Sequence, residues 1–273
     1  MNIGDIGQNV KNSLVGVVRG AGDVLGATVE ETRKATVAAL RGASDIGKAA
    51  SGVVADVITG ALQATEEVGG QVGSVGKGAV IGVVKGLGEV TTVTTGVVSD
   101  VIRAAVKGTS GVGGDVTEAS ASLTQSIVTA VKETAISLED AGVGAAHGAI
   151  MGAKDIGADL TAAARSAVQG AVQGAQQVGA NVLEAIHAVA SGLIKATGEV
   201  GGDVAEVARN AIVGAIQAAK TAGVDAEQAA SAAASGAMEA AQKVGESAVK
   251  AVSGVASGTI EGVKVIVKTP FKK

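Results

Sequence analysis

The chain reads as an all-α protein: an array of about twelve 22-residue repeats, each a short helix joined to the next by a glycine turn and packed through Gly and Ala faces. Three observations predict this. One aliphatic column returns every 22 residues, through Val18, Leu40, Leu62, Val84, Val106, Val128, Ile150, Val172, Ile194, Ile216, Met238 and Ile260. Two places earlier runs a small-residue column: Gly16, Ala38, Gly60, Gly82, Ala104, Ser126, Gly148, Gly170, Gly192, Gly214, Gly236 and Gly258. Glycines and N-cap residues then recur together between the apolar stretches. Self-similarity at one fixed period marks a structural device used many times, not a site built once.

Twenty-two is twice eleven, and eleven residues make three helical turns at about 3.67 residues per turn, close to the natural 3.6. With columns numbered 1 to 22 from Val15, columns 3, 7, 10, 14, 17, 18 and 21 fall on one side of such a helix. In one copy these are Leu193, Thr197, Val200, Val204, Val207, Ala208 and Ala211, while Lys195, Glu199, Asp203, Glu206 and Arg209 lie opposite. That is an amphipathic helix. Strict alternation, the signature of a half-buried strand, is not sustained.

Column 11 is usually glycine (Gly47, Gly69, Gly113, Gly157, Gly179, Gly201, Gly223, Gly245), and column 13 is often a good N-cap: Asp115, Asp159, Asn181, Asp203, Asp225, Ser247. Glu118, Glu184, Glu206 and Gln228 follow three residues after a cap. A glycine just past one helix and a capping box opening the next is how two helices are joined. The reading is clearest from Gly108 to Gly245 and gives helices of about 18 residues, roughly 27 Å long, with short connections that favour antiparallel neighbours. In the first four copies one longer helix competes with short ones, and Val68 to Gly76 and Val90 to Val98 suit local extended structure. The copy from Gln125 to Ala146 is degenerate.

The composition says what must hold the helices together. There are 42 glycines, a single Phe, and no Trp, Tyr or Cys. Large aromatic contact areas are therefore missing, and each glycine inside a helix costs about 0.8–1 kcal/mol relative to Ala. Close backbone approach is the available compensation. The small-xxx-small pairs Gly82/Gly86, Gly148/Gly152 and Gly170/Gly174 provide faces for it. The chain divides into an N-terminal segment (1–13), the array (14–263) and a basic C-terminal tail (264–273).

Sites for chemistry are not apparent, so no catalytic, cofactor-binding or metal-ligating residue is expected. Gly42 to Ala49 has the spacing of a phosphate-binding loop, but Ala49 stands where Ser or Thr is required and Asp45 would repel phosphate. His147 and His187 have no Cys, second His or carboxylate at ligand spacing and read as helix-surface or packed positions. A net charge of -4 and the missing aromatic platforms argue against nucleic acid. Mean hydropathy of +0.41 argues against ordinary disorder. No uninterrupted apolar run is long enough to span a membrane and no secretory signal is visible; the lack of Cys leans to an intracellular setting. Lys264, Lys268, Lys272 and Lys273 make the tail a candidate contact for an anionic lipid surface.

The 11/22-residue periodicity, written in Val, Ala, Thr, Gly, Lys and Glu from about Leu14 to Lys268, resembles a loose class of amphipathic repeat proteins. The class includes synucleins, perilipins, exchangeable apolipoproteins and repeat-type late embryogenesis abundant proteins; Thr259 to Val263 is faintly similar to the synuclein repeat core. The resemblance implies lipid-surface binding or protection during water loss, usually without catalysis. The expected function is that of a non-enzymatic structural protein whose partner is itself, as homo-oligomer or filament. The alternatives are an amphipathic coat on a membrane or lipid droplet and a stress protectant.

Overall fold

The computed structural model describes residues 3–18, 23–43, 46–68 and 72–267. It is all-helical apart from one small hairpin. The helices are α1 (Ile3–Val18), α2 (Val24–Arg41), α3 (Ile46–Val68), α4 (Val72–Val90), α5 (Thr95–Gly111), α6 (Val116–Ala130), α7 (Leu138–Asp155), α8 (Leu160–Val178), α9 (Val182–Glu199), α10 (Val204–Ala222), α11 (Ala226–Val244) and α12 (Glu246–Val255). β1 (Gly258–Ile260) and β2 (Val263–Val265) follow, paired antiparallel with Gly258 opposite Val265.

The punctuation works as the residue types dictate. Asp115, Asp159, Asn181, Asp203 and Asp225 are N-caps, each with extended backbone and a side chain accepting from an amide of the first turn. Gly113, Gly157, Gly179, Gly201 and Gly223 sit at φ between 66° and 74°, the left-handed region that ends a helix and that only glycine enters freely. At Gly179 the Ala180 amide reaches back to the Ala175 carbonyl and the Gly179 amide to that of Gln176, which satisfies carbonyls a helix end would orphan. Ser247 departs from expectation. It lies inside α12, whose N-cap is Gly245 with no side-chain bond. Gly47 likewise falls inside the first turn of α3.

The early copies are helical too. Val72 to Gly76 opens α4 and Val90 closes it; only residues 91–94 separate it from α5, and Thr94 is the α5 N-cap. The apolar surface shared with neighbouring helices overrides the strand preference of Val and Thr. Residues 69–71 lie outside the described structure. In the degenerate copy α6 stops at Ala130, seven residues of turn follow, and Ser137 caps α7; the cap survives where the column-11 glycine has become Ala135.

Consecutive helices run in opposite directions, but the most extensive packing is between each helix and the second one along. Gly144, Gly148 and Gly152 of α7 meet the carbonyls of Thr95, Ser99 and Arg103 of α5 in the same order, so α5 and α7 are parallel. The result is two layers, odd-numbered helices in one and even-numbered in the other, with the aliphatic columns between them. Leu62, Val84, Val106, Val128, Ile150, Ile194 and Ile216 are all 0% exposed. In the copy used above, Leu193, Thr197, Val207, Ala208 and Ala211 are buried, Val200 and Val204 half-buried, and the five charged residues opposite them exposed.

The small column explains the spacing of helices within a layer. A methyl group added to Gly60, Gly82, Gly148, Gly170, Gly192, Gly214 or Gly236 would lie between 2.0 and 2.8 Å from a backbone carbonyl oxygen two helices back, closer than carbon and oxygen approach. These helices touch backbone to backbone. α2 and α4 add a second device. Thr28, Thr32 and Thr36, all 0% exposed, face Gly78, Gly82 and Gly86. Their hydroxyls donate to the carbonyls of Val24, Thr28 and Thr32 in their own helix, so they are buried without an unmet polar group.

The C-terminal end differs from the middle. Val263 and Val265 of the hairpin are buried in the core, and the Ile266 amide donates to Ser231 Oγ on α11. Ser231 holds the column whose carbonyl, at His187 on α9, receives Gly236. The hairpin thus covers the ridge on which a further odd-layer helix would sit, as terminal caps of repeat arrays do.

Candidate functional surface

The polar faces look outward from both layers and are stitched by a second repeating relation. Arg103 pairs bidentately with Asp155 at 2.7 and 2.9 Å, Gln125 with Gln177 at 3.3 Å, His147 with Glu199 at 2.7 Å and His187 with Glu239 at 3.5 Å. Each pair is 52 residues apart. That separation is two repeats plus two helical turns, which brings one outer face of a helix beside that of its same-layer neighbour. Sequence spacing within one helix could not show these partners; a search for complementary residues at 52 would have.

Both histidines therefore have carboxylate neighbours, contrary to the reading from local spacing. His147 sits between two partners. Its Nε2 is 2.7 Å from Glu199 Oε2 and its Nδ1 2.8 Å from Ser99 Oγ. A carboxylate that is ionised only accepts, so Nε2–H faces Glu199; in the neutral imidazole Nδ1 then accepts from the Ser99 hydroxyl. Serine, histidine and carboxylate stand in the order of a hydrolytic relay. The rest of such a site is not built around them. Ser99 is 8% exposed, its carbonyl is pressed against Gly148, and its amide lies inside α5. What the arrangement does is tie α5, α7 and α9 together.

A few carboxylates are held ionised by their neighbours. Hydrogen bonds from Arg103 and, less strongly, Lys107 hold Asp155 below the usual carboxylate range. Thr95 and Ser137 do the same for Asp140, and Lys243 for Glu239. Glu30, bonded first to Arg33, is lowered to about 2. Asp56 goes the other way: burial raises it, and its Oδ2 has no hydrogen-bond partner.

Clefts mark the outer faces. One of about 450 Å³ lies between α3 and α5, lined by Ser51, Ala55, Thr59, Asp100, Ala104 and Lys107 among others. A second, about 600 Å³, lies between α4 and α6, where Ser74, Lys77, Asp115, Glu118, Ser122 and Gln125 meet. Among the described residues no group of three or more His, Asp or Glu is placed to hold a metal ion, and no helix is long and apolar enough to cross a membrane. Of the residues that mimic a phosphate loop, Gly42 ends α2, a helix where such a loop follows a strand, Lys48 and Ala49 lie in α3, and residues 44 and 45 lie outside the described residues. Of the four lysines expected to meet lipid, Lys264 is exposed on β2; Lys268, Lys272 and Lys273 lie outside the described residues. A search of protein families finds no family model that matches the chain, and no curated protein is significantly similar to it.

Proposed function

We propose that the protein is a non-enzymatic structural element whose partner is a second copy of itself. The observation that carries this reading is the difference between its two ends. At the C-terminal end the hairpin covers the α11 ridge. At the other end Gly16 holds the small column of α1, and nothing lies within 4 Å of the position a methyl group would take there. Val17 next to it in α1 is exposed, at 39%, as is Leu25 in the first turn of α2. At Gly60, Gly82 and Gly148 to Gly236 the same column is filled by backbone-to-backbone packing, whereas Ala104 lines the α3/α5 cleft and Ala38 a cleft between α1 and α2. This contrast favours pairing at the N-terminal end over an open filament, because a filament needs two complementary open ends.

The lipid-coat reading has one supporting observation, Ile266 at 51% exposure two residues from the exposed Lys264. It also requires the apolar faces, which are spent between the two layers, to be released at the lipid surface. Light scattering coupled to gel filtration, with circular dichroism in plain buffer and with anionic vesicles, separates the two. The expected result is full helicity without lipid and a mass that is a multiple of 26.0 kDa. A chain that stays a monomer at every concentration, or that turns helical only on vesicles, overturns the proposal.

A further inference from the structure

We infer that the array is two stiff blocks, α1–α4 and α5–α12, joined by a seam that bends. In the small column glycine is replaced by Ala38 on α2, which has no helix two places back, and by Ala104 on α5 and Ser126 on α6, which do. These two helices make the least extensive same-layer packing of any full-length helix, α5 against α3 and α6 against α4. A side-chain atom at that column stands where all the other interior helices with a partner two places back bring a bare glycine onto a carbonyl. α5 and α6 are therefore held away from the helices before them. A cleft lies at each of these two pairs, about 450 and 600 Å³, one in each layer; a third, about 510 Å³, lies along α7, α9 and α11 on the outer face of the second block.

Side chains take the place of backbone contact at the seam. Gly108 on α5 faces Leu62 Cδ1, and Gly76 on α4 faces the methyl groups of Leu62 and Leu123. Among the described residues, polar contacts complete the joint: the exposed pairs Ser51 Oγ with Asp100 at 2.6 Å and Lys85 with Glu133, and the half-buried pair Lys77 with Gln125 at 3.2 Å. Exposed contacts of this kind are individually weak.

The packing register also changes at the same place. In the second block each column-2 glycine meets a carbonyl 49 residues back: Gly148 on Ser99, Gly170 on Ala121, Gly192 on Val143, Gly214 on Arg165, Gly236 on His187. In the first block the separation is 53: Gly60 on Gly7, Gly82 on Val29. The ion pairs shift equally, from 52 in Arg103–Asp155 to 56 in Lys11–Glu67 and Arg33–Glu89. Four residues is about one helical turn. Two blocks in different registers cannot share one unbroken glycine-on-carbonyl lattice, and the mismatch falls on the pairs that carry Ala104 and Ser126.

The interior stays continuous across the seam, with Leu62, Val84, Val106 and Ile127 fully buried. The blocks remain attached there, and bending about this shared interior widens the cleft of one layer while narrowing that of the other. The test uses the absence of cysteine. Gln63, Lys107, Met151 and Lys195 occupy one column of α3, α5, α7 and α9. Spin labels on a Gln63→Cys/Met151→Cys pair span the seam; labels on a Lys107→Cys/Lys195→Cys pair span the same number of helices without it. Pulsed dipolar spectroscopy on the full chain should give a broader distance distribution for the first pair. Adding Ala104→Gly and Ser126→Gly should narrow that distribution and shift it to shorter distance, leaving the second pair unmoved. Equal widths in the otherwise unaltered chain overturn the inference whatever the glycine variant does, and a broad distribution that the added glycines leave unchanged overturns the assignment to Ala104 and Ser126.

Discussion

At Gly170 the helix former and the packing residue are in conflict, and packing decides. Alanine is the better helix residue by about 0.8–1 kcal/mol, yet its methyl would sit 2.0 Å from the Ala121 carbonyl oxygen. Forcing α6 and α8 apart is expected to cost about 1–3 kcal/mol, the usual range for overpacking. Within one chain Gly16→Ala meets nothing within 4 Å and, at concentrations low enough to keep copies apart, should be neutral or stabilising, by up to about 1 kcal/mol. Urea unfolding of both variants tests the pair; the opposite ranking would mean the small column is not a contact column. Asp203 isolates another single-residue effect. It accepts from the Glu206 amide, and Asp203→Ala should destabilise by about 1 kcal/mol, read in the same unfolding curves.

Pairs of helices carry the electrostatics. Asp155 on α7 is held below its ordinary range by Arg103 on α5. A carboxyl whose folded pKa is depressed contributes stability above its unfolded pKa, near 4, and loses it as pH falls toward the folded value. Thermal unfolding at pH 7 and pH 3 should therefore show a smaller acid-induced drop for Asp155→Asn than for the native chain. Equal drops would place the pair among those that contribute nothing.

Much at this scale was legible in the residues. The period named the helices, column 11 named their ends, and the excess of glycine required close approach. Which helix approaches which was not legible. Connections of mostly three or four residues bring consecutive helices together, and nothing in a single copy says that the backbone contact skips one helix and joins parallel partners. The histidine partners were hidden for the same reason, since 52 residues is no spacing within a helix. The hairpin was missed because Gly258 and Ile260 continue the repeat columns and were placed in the helical array (14–263), while the short alternation from Lys264 onward was read as a basic tail. The flexible seam was written in Ala104 and Ser126, but alanine and serine looked like ordinary small residues until the carbonyls opposite the other members of the column were known.

For the whole molecule, the hairpin makes a prediction about solubility. Ending the chain at Ser257 removes Val263 and Val265 from the core and uncovers the ridge at Ser231. The shortened protein should remain helical by circular dichroism but associate more strongly than the full chain in gel filtration; unchanged elution would mean the hairpin covers nothing that matters. Both layers use the same columns in the same way, since Gly148 on Ser99 joins odd helices and Gly170 on Ala121 joins even ones. From α7 to α11, where every column-2 glycine meets a carbonyl 49 residues back, each unit is placed on its predecessor by a half-turn and a step, a molecular staircase whose treads are interchangeable. Gain or loss of one 22-residue unit in that stretch, by an ordinary slip in gene copying, would leave every later tread in an environment it already suits, yet would move the hairpin to the opposite face from its present one. Two units would restore it. Parity of the repeat number, not its size, fixes how the two ends of such a protein face their surroundings.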